Sequence, residues 1–266
     1  MERGGKKRIL VLAPHQDDEC LQTAGVIRAA VMAGDSVSVC FATNGEYAGE
    51  QDAAVRAAES RIVLAELGVP ADQVFSLGYP DTGMSYGESF LRQLYDGRTG
   101  LRSRWGRTET WTPEGRDFRF LRSGQHGPYT AEGVRRDLRD LLGLLRPDEV
   151  YVSTPGDCHG DHDALGRFAA EAVRAAPWRP ALCYYLIHGD ETDRWPSRED
   201  GAFSGPIPDG LQIPGEMERR RLPAGFSAED KRRLIERYVS QDPAAYGGYL
   251  LAFAKEDELL FRARDI

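Results

Sequence analysis

Short apolar runs separated by helix-length amphipathic stretches set the rhythm of this chain. Residues 9–13 (Ile-Leu-Val-Leu-Ala) read as a buried strand. Residues 20–33 read as a helix, with Leu21, Ala24, Val26, Ile27 and Ala30 as apolar positions and Gly34 as the stop. A second strand follows at 36–42, then an Ala-rich helix at 52–67 ended by Gly68 and Pro70, then a short strand at 74–77. The same pattern returns as a helix at 131–145, a strand at 149–153, a helix at 163–175 and a strand at 182–187. A Pro/Gly-rich loop over 195–225 and a helix at 228–240 complete the chain. This β-α-β succession predicts an α/β fold with a doubly wound, mostly parallel sheet. No internal repeat interrupts it.

Residues 85–129 break the rhythm, being rich in Gly, Arg and aromatics without a sustained period. They read as an inserted lid over an otherwise single domain spanning 1–266. From Arg98 to Arg122 the segment holds seven arginines against three acidic residues, Glu109, Glu114 and Asp117. The local excess is either a solvated surface or a clamp for an anionic or polyhydroxylated substrate.

Composition narrows the classes. A chain of 266 residues with 41% hydrophobic content can bury one large core. Its net charge of −8 argues against nucleic acid as a partner. The apolar run at 9–13 is broken by Pro14 and then by charges, so neither a signal peptide nor a transmembrane segment is expected, and the expected location is cytoplasmic. Cys20, Cys40, Cys158 and Cys183 show no paired spacing, which favours reduced thiols over a disulfide framework. A homo-oligomer is left open.

The chemistry concentrates just past two strands, where open α/β sheets place their ligands. After the first comes Pro14-His15-Gln16-Asp17-Asp18-Glu19, and after the strand at 149–153 comes His159-Gly160-Asp161-His162. His15 and Asp18 stand three apart and can converge on one ion at a strand-to-helix turn. Asp17 then points elsewhere, free to act as a base on water at the metal. The competing account is that Asp17, Asp18 and Glu19 only load a helix N-terminus with acid. In the second segment one histidine suffices for the metal, and the other, held protonated by Asp161, can stabilise an oxyanion or protonate a leaving amine. Glu46, in the loop Thr43-Asn44-Gly45-Glu46, falls at the same sheet edge and is a candidate substrate contact. His188, after the strand ending at Ile187, is also at a plausible edge but by itself reads as a satisfied core or rim histidine, His126 as weaker still, and Cys158 as packing. Three carboxylates and no Gly-rich turn after the first strand exclude a dinucleotide-binding role.

The pairing of these two segments resembles the PIG-L/LmbE-like family of zinc-dependent N-acetyl deacetylases. Thr43-Asn44-Gly45-Glu46, Arg56 with Glu59, Asp81-Thr82-Gly83-Met84, and Lys231 with Ser240-Gln241 extend the resemblance over most of the chain. It implies a Rossmann-like fold and removal of an N-acetyl or short N-acyl group from an amino sugar or glycoconjugate. It implies His15, Asp18 and His162 as ligands of Zn2+, a set that also suits Fe2+. By the same resemblance Asp17 is the general base, His159 the group that stabilises the oxyanion or departing amine, and Asp161 the residue that tunes His159. Arg56 and Asp81 match positions that hold substrate hydroxyls. Gln16 stands where proline is commonest, and Asp157 stands where mycothiol-type members carry tyrosine. An amidase for a thiol conjugate or another small amide, and a non-catalytic sugar-binding protein, are the alternatives.

Overall fold

The computed structural model describes residues 5–83, 85–190, 195–203 and 207–264. Met84 of the 81–84 motif and part of the 195–225 loop fall outside them. Seven strands form one sheet in the order β3-β2-β1-β4-β5-β7-β6. The parallel part comprises β1 (Arg8–Ala13), β2 (Ser36–Thr43), β3 (Val74–Tyr79), β4 (Glu149–Ser153) and β5 (Ala181–Tyr185). All but the first residue of β1 and of β2 are buried, as expected of strands covered on both faces.

The helices of the regular part are α1 (Asp18–Ala33), α2 (Glu50–Leu67), α5 (Ala131–Leu145) and α6 (Gly160–Ala175). Both α1 and α2 start two residues earlier than the apolar pattern predicts, and α6 three earlier. Polar residues open these first turns, and apolar periodicity does not register them. Gly34 and Gly68 close α1 and α2 in the left-handed conformation, where glycine carries no Cβ penalty. The chain passes from β1 to β2 on one side and returns to β4 on the other. That switch point brings the loops after β1 and β4 together.

Two antiparallel strands escape the sequence pattern: β6 (Glu216–Arg221) and β7 (Asp257–Arg262), with β7 paired to β5 and β6 at the edge. β6 (Glu-Met-Glu-Arg-Arg-Arg) has no apolar run, because an edge strand is protected by charge. Between them α7 (Ala228–Ile235) stops short of residue 240. Tyr238 leaves helical dihedrals to bury its ring and donate its hydroxyl to Glu19 Oε1 at 2.6 Å.

Residues 85–129 are not a flap. They contain α3 (Phe90–Tyr95) and α4 (Phe118–Ser123), and Phe90, Leu91, Leu94 and Phe118 lie in the main core. Six-residue helices are too short to show a period. Two of the seven arginines from Arg98 to Arg122 pair with acids outside the segment: Arg107 with Glu50, and Arg119 with Asp137 and Asp140. Arg104 donates to the Tyr47 carbonyl.

Candidate active site and metal centre

The end of β1 delivers His15 and the first turn of α1 delivers Asp18, while the first turn of α6 delivers His162. His15 N donates to Asp18 Oδ2 at 2.9 Å, which locks the turn between strand and helix. His15 Nδ1 lies 3.2 Å from His162 Nε2. Asp18 Oδ2 lies 3.4 Å from the first nitrogen and 3.2 Å from the second. Ligands about 2.0–2.1 Å from a tetrahedral cation stand about 3.3–3.4 Å apart, so this triangle has the size such an ion requires. Each imidazole also has a carboxylate behind it: Asp161 Oδ2 at 3.4 Å from His15 Nε2, and Asp157 Oδ2 at 3.5 Å from His162 Nδ1. That arrangement fixes ring orientation and raises ligand basicity.

The charge balance points the same way. Asp17, Asp18, Asp81, Asp157 and Asp161 are all buried, and Arg56 is the cation among them that carries a permanent charge. Burial works against charge on His15, but Asp81, Asp161 and Asp18 hold its pKa well above the usual histidine range. For His162 burial is likewise outweighed, by Asp18 and Asp157, and its pKa rises to about 9. Asp18 is driven well below the carboxylate range, because His162 and His15 override its burial. A divalent cation at the triangle would offset the same acids, with both facing nitrogens turning lone pairs to one centre. The donor set therefore fits a metal, and two histidines with one carboxylate suit zinc or Fe(II).

Asp17 stands beside this triangle without joining it. Its carboxylate lies 4.0 Å from Arg56 Nη2, and its backbone N donates to Glu19 Oε2 at 2.9 Å. Burial and the neighbouring Asp18 push its pKa up to about 7, against the pull of Arg56. Arg56 Nη1 donates to Asp81 Oδ2 at 2.8 Å. His15, Asp17, Asp18, Arg56, Asp81 and His159 line one cleft of about 390 Å3.

Three expectations about these residues change. Asp161 does not touch the His159 ring through its side chain: Oδ1 accepts from Leu91 N at 2.7 Å, and Oδ2 faces His15. The two-residue spacing at a helix start instead makes His159 the N-cap, with Nδ1 accepting from Asp161 N at 3.2 Å. His159 is therefore not held protonated; burial and the neighbouring His15 and His162 depress its pKa well below the usual range. With Nδ1 accepting, the proton of the neutral ring sits on Nε2. Glu46 does not enter the cleft. Its Oε2 accepts from Trp111 Nε1 at 2.7 Å and its carbonyl from Trp105 Nε1 at 2.8 Å, tying residues 105–111 to the sheet edge. No described residue of 85–129 lines the cleft either.

Its outer wall comes from residues 241–250, where the motifs give little warning. Tyr246 there is 83% exposed, with φ 52° and ψ 39°, beside Gly247 and Gly248, also at positive φ. Tyr249 donates its hydroxyl to the Ile187 carbonyl at 2.7 Å and stacks on His188, with His188 Nδ1 3.2 Å from the same hydroxyl. His188 is not a mere rim residue, since it lines the cleft and its ring centroid stands 4.9 Å from that of His162. Its place three residues past β5, at the edge that carries the other two loops, is the signal the sequence offers. Asp157 organises this corner, accepting from His159 N, Ile187 N and His188 N.

A family model described as PIG-L, GlcNAc-PI de-N-acetylase, matches residues 10–173, and the chain belongs to this family. A comparison with curated protein sequences gives no match. Among solved structures, the zinc-inhibited form of teicoplanin deacetylase Orf2 is similar at 17% identity and TM-score 0.61, covering 97% of this chain and 100% of that one. The conserved protein TT1542 from Thermus thermophilus is similar at 20% identity and TM-score 0.59, covering 98% and 96%. N,N'-diacetylchitobiose deacetylase from Pyrococcus horikoshii is similar at 20% identity and TM-score 0.54, covering 92% and 75%. GalB, a 4-carboxy-2-hydroxymuconate hydratase from Pseudomonas putida, shares the fold at 12% identity, TM-score 0.52, covering 93% and 82%. At these identities the likeness is one of fold. No helix among the described residues is long and apolar enough to cross a membrane.

Proposed function

We propose that this protein is a divalent-metal-dependent hydrolase that removes an N-acetyl or short N-acyl group from an amino sugar or glycoconjugate. The observation that carries the reading is the triangle of His15 Nδ1, Asp18 Oδ2 and His162 Nε2, with the Asp17 carboxylate beside it and outside it. The family match and the deacetylases among the structural neighbours support the same chemistry.

His15, Asp18 and His162 would hold the ion, zinc by default, which when bound polarises the amide carbonyl and acidifies a water. Asp17 accepts the proton of the attacking water and passes it to the departing amine nitrogen, its burial making it more basic than an ordinary carboxylate. Arg56 holds the Asp17 carboxylate in place and limits that rise. His159 offers Nε2–H to the oxygen on which negative charge develops; a neutral donor suffices there. Asp161 and Asp157 set the orientation of His15 and His162. Asp81 and Arg56, paired at the cleft wall, offer acceptors and donors to sugar hydroxyls.

The test is elemental analysis of the purified protein together with deacetylation of N-acetylglucosamine before and after chelation. The reading requires about one divalent ion per chain, acetate release, loss on chelation and recovery on adding zinc or Fe(II). Sugar binding without acetate release in the loaded protein would favour the non-catalytic reading instead.

A further inference from the structure

Two histidines of the cleft carry their protons on opposite nitrogens. His159 accepts at Nδ1 from Asp161 N and keeps its hydrogen on Nε2, which makes it a donor. Tyr249 fixes His188 the other way. The Tyr249 hydroxyl lies 2.7 Å from the Ile187 carbonyl oxygen, which has no hydrogen to give, so the single hydroxyl hydrogen is spent there. His188 Nδ1 stands 3.2 Å from the same hydroxyl and can bond to it only as the donor. Burial lowers the His188 pKa and keeps the ring neutral. The lone pair of that ring is therefore on Nε2. This nitrogen has no hydrogen-bond partner among the described residues, and it is not one of the polar atoms sealed from solvent. The ring is half-buried and lines the cleft, with its centroid 4.9 Å from that of His162 and 5.3 Å from that of His159. Among the described residues it also stands outside the groups of His and Asp whose ligand atoms converge as for a metal. An acceptor beside the reacting centre, held to one tautomer by a tyrosine of the core and used by no protein donor, calls for a hydrogen from the substrate.

We propose that His188 Nε2 accepts a hydrogen bond from a substrate hydroxyl on a carbon next to the one that bears the acylamino group, with Tyr249 as the positioning residue that fixes the tautomer. This rests on the proposed deacetylation and narrows its substrate class to amino sugars with a free hydroxyl vicinal to the amide. The place follows from the rings: His188 adjoins both the ligand His162 and the donor His159, so the group it meets is a neighbour of the scissile amide. An ether or ester at that carbon has no hydrogen to offer and loses the contact.

Two measurements test it. The first is a long-range proton–nitrogen correlation spectrum of the full chain, labelled at the histidine nitrogens and loaded with zinc. The signals lost in His188→Asn should show a protonated Nδ1 and a lone-pair Nε2, and Tyr249→Phe should weaken that preference. The reverse pattern, or an Nε2 that moves to the metal-bound range when zinc is added, would overturn the proposal. The second is steady-state deacetylation of N-acetylglucosamine beside its analogues lacking the C1 or the C3 hydroxyl. For one analogue the parent should show kcat/KM about tenfold below that for the sugar, the worth of one hydrogen bond. His188→Asn, whose amide can still donate to Tyr249 but which has nothing at the place of Nε2, should treat that analogue and the sugar alike. His188→Phe makes the same comparison should that variant misfold. A parent indifferent to both hydroxyls, or a variant that discriminates as the parent does, would contradict the proposal. Should the loaded parent release no acetate at all, the deacetylation reading fails on its own, and the tautomer pattern with the same comparison in calorimetric affinities decides the role of His188.

Discussion

The two walls of the cleft are built on different principles. The inner wall, His15 to Asp18 and Asp157 to His162, sits on strand ends and helix starts, with its carboxylates cross-linked to backbone N–H groups and to the two imidazoles. The outer wall, residues 241–250, carries an exposed tyrosine, a left-handed turn and only short helical stretches. Chemistry demands fixed geometry, so its groups stand on elements whose position the core dictates. Here the core anchors one end of the segment through Tyr249, while Tyr246 at its tip stands in solvent, the kind of support on which substrate contacts are commonly carried.

Breaking the inner wall should cost most. His162→Ala removes one corner of the triangle and takes from Asp18 and Asp157 the imidazole that both of them face. Bound metal and acetate release should both fall to background, by elemental analysis and steady-state assay. A variant that keeps its ion would displace the site from this corner.

The next largest effect should be on stability, from a place outside either wall. Leu94→Ala in α3, fully buried, should lower unfolding stability by about 2–5 kcal/mol in denaturant titration, with KM unchanged. A changed KM with unchanged stability would restore the lid reading of 85–129.

Arg56→Gln sharpens the comparison through pH. Asp17 acts as a base only when ionised, so kcat/KM should fall as pH drops through its pKa. Arg56 pulls that pKa down, and its loss lets the carboxyl rise. The acid limb of the profile should therefore move to higher pH, with kcat/KM reduced about tenfold to a hundredfold through lost substrate contacts. An acid limb that stays in place would separate Arg56 from Asp17.

The outer wall should give the smallest change. Tyr246→Ala should raise KM for a glycoconjugate substrate by about threefold to tenfold, roughly the worth of one exposed aromatic contact, with metal content and kcat near those of the parent. A fall in kcat instead would place this wall in the chemistry.

The inner wall was legible in the sequence because each of its loops follows a strand of continuous apolar residues, and strand ends in such sheets converge. His188 obeys the same rule after β5, but a single histidine at such an edge reads by default as a satisfied core or rim residue. The partner of Asp161 was not legible, since a two-residue spacing suggests His159 while the turn into α6 aims the carboxylate at His15, far away in sequence. Glu46 was misplaced for a related reason: edge position fixes where a loop lies, not whether its side chain turns toward the cleft or toward Trp111. Tyr246 and β6 have no signal that periodicity detects, one lying in a left-handed turn and the other being charged throughout.

The central claim is that Asp18 holds the ion and Asp17 works on the water beside it. Metal content and steady-state deacetylation of Asp17→Asn and Asp18→Asn, measured side by side, test it most directly. Asp17→Asn should keep its metal and lose about 10²–10⁴-fold in kcat, the usual worth of general base catalysis, while Asp18→Asn should lose the metal itself. Metal lost from Asp17→Asn and kept by Asp18→Asn would reverse the two roles and contradict the account.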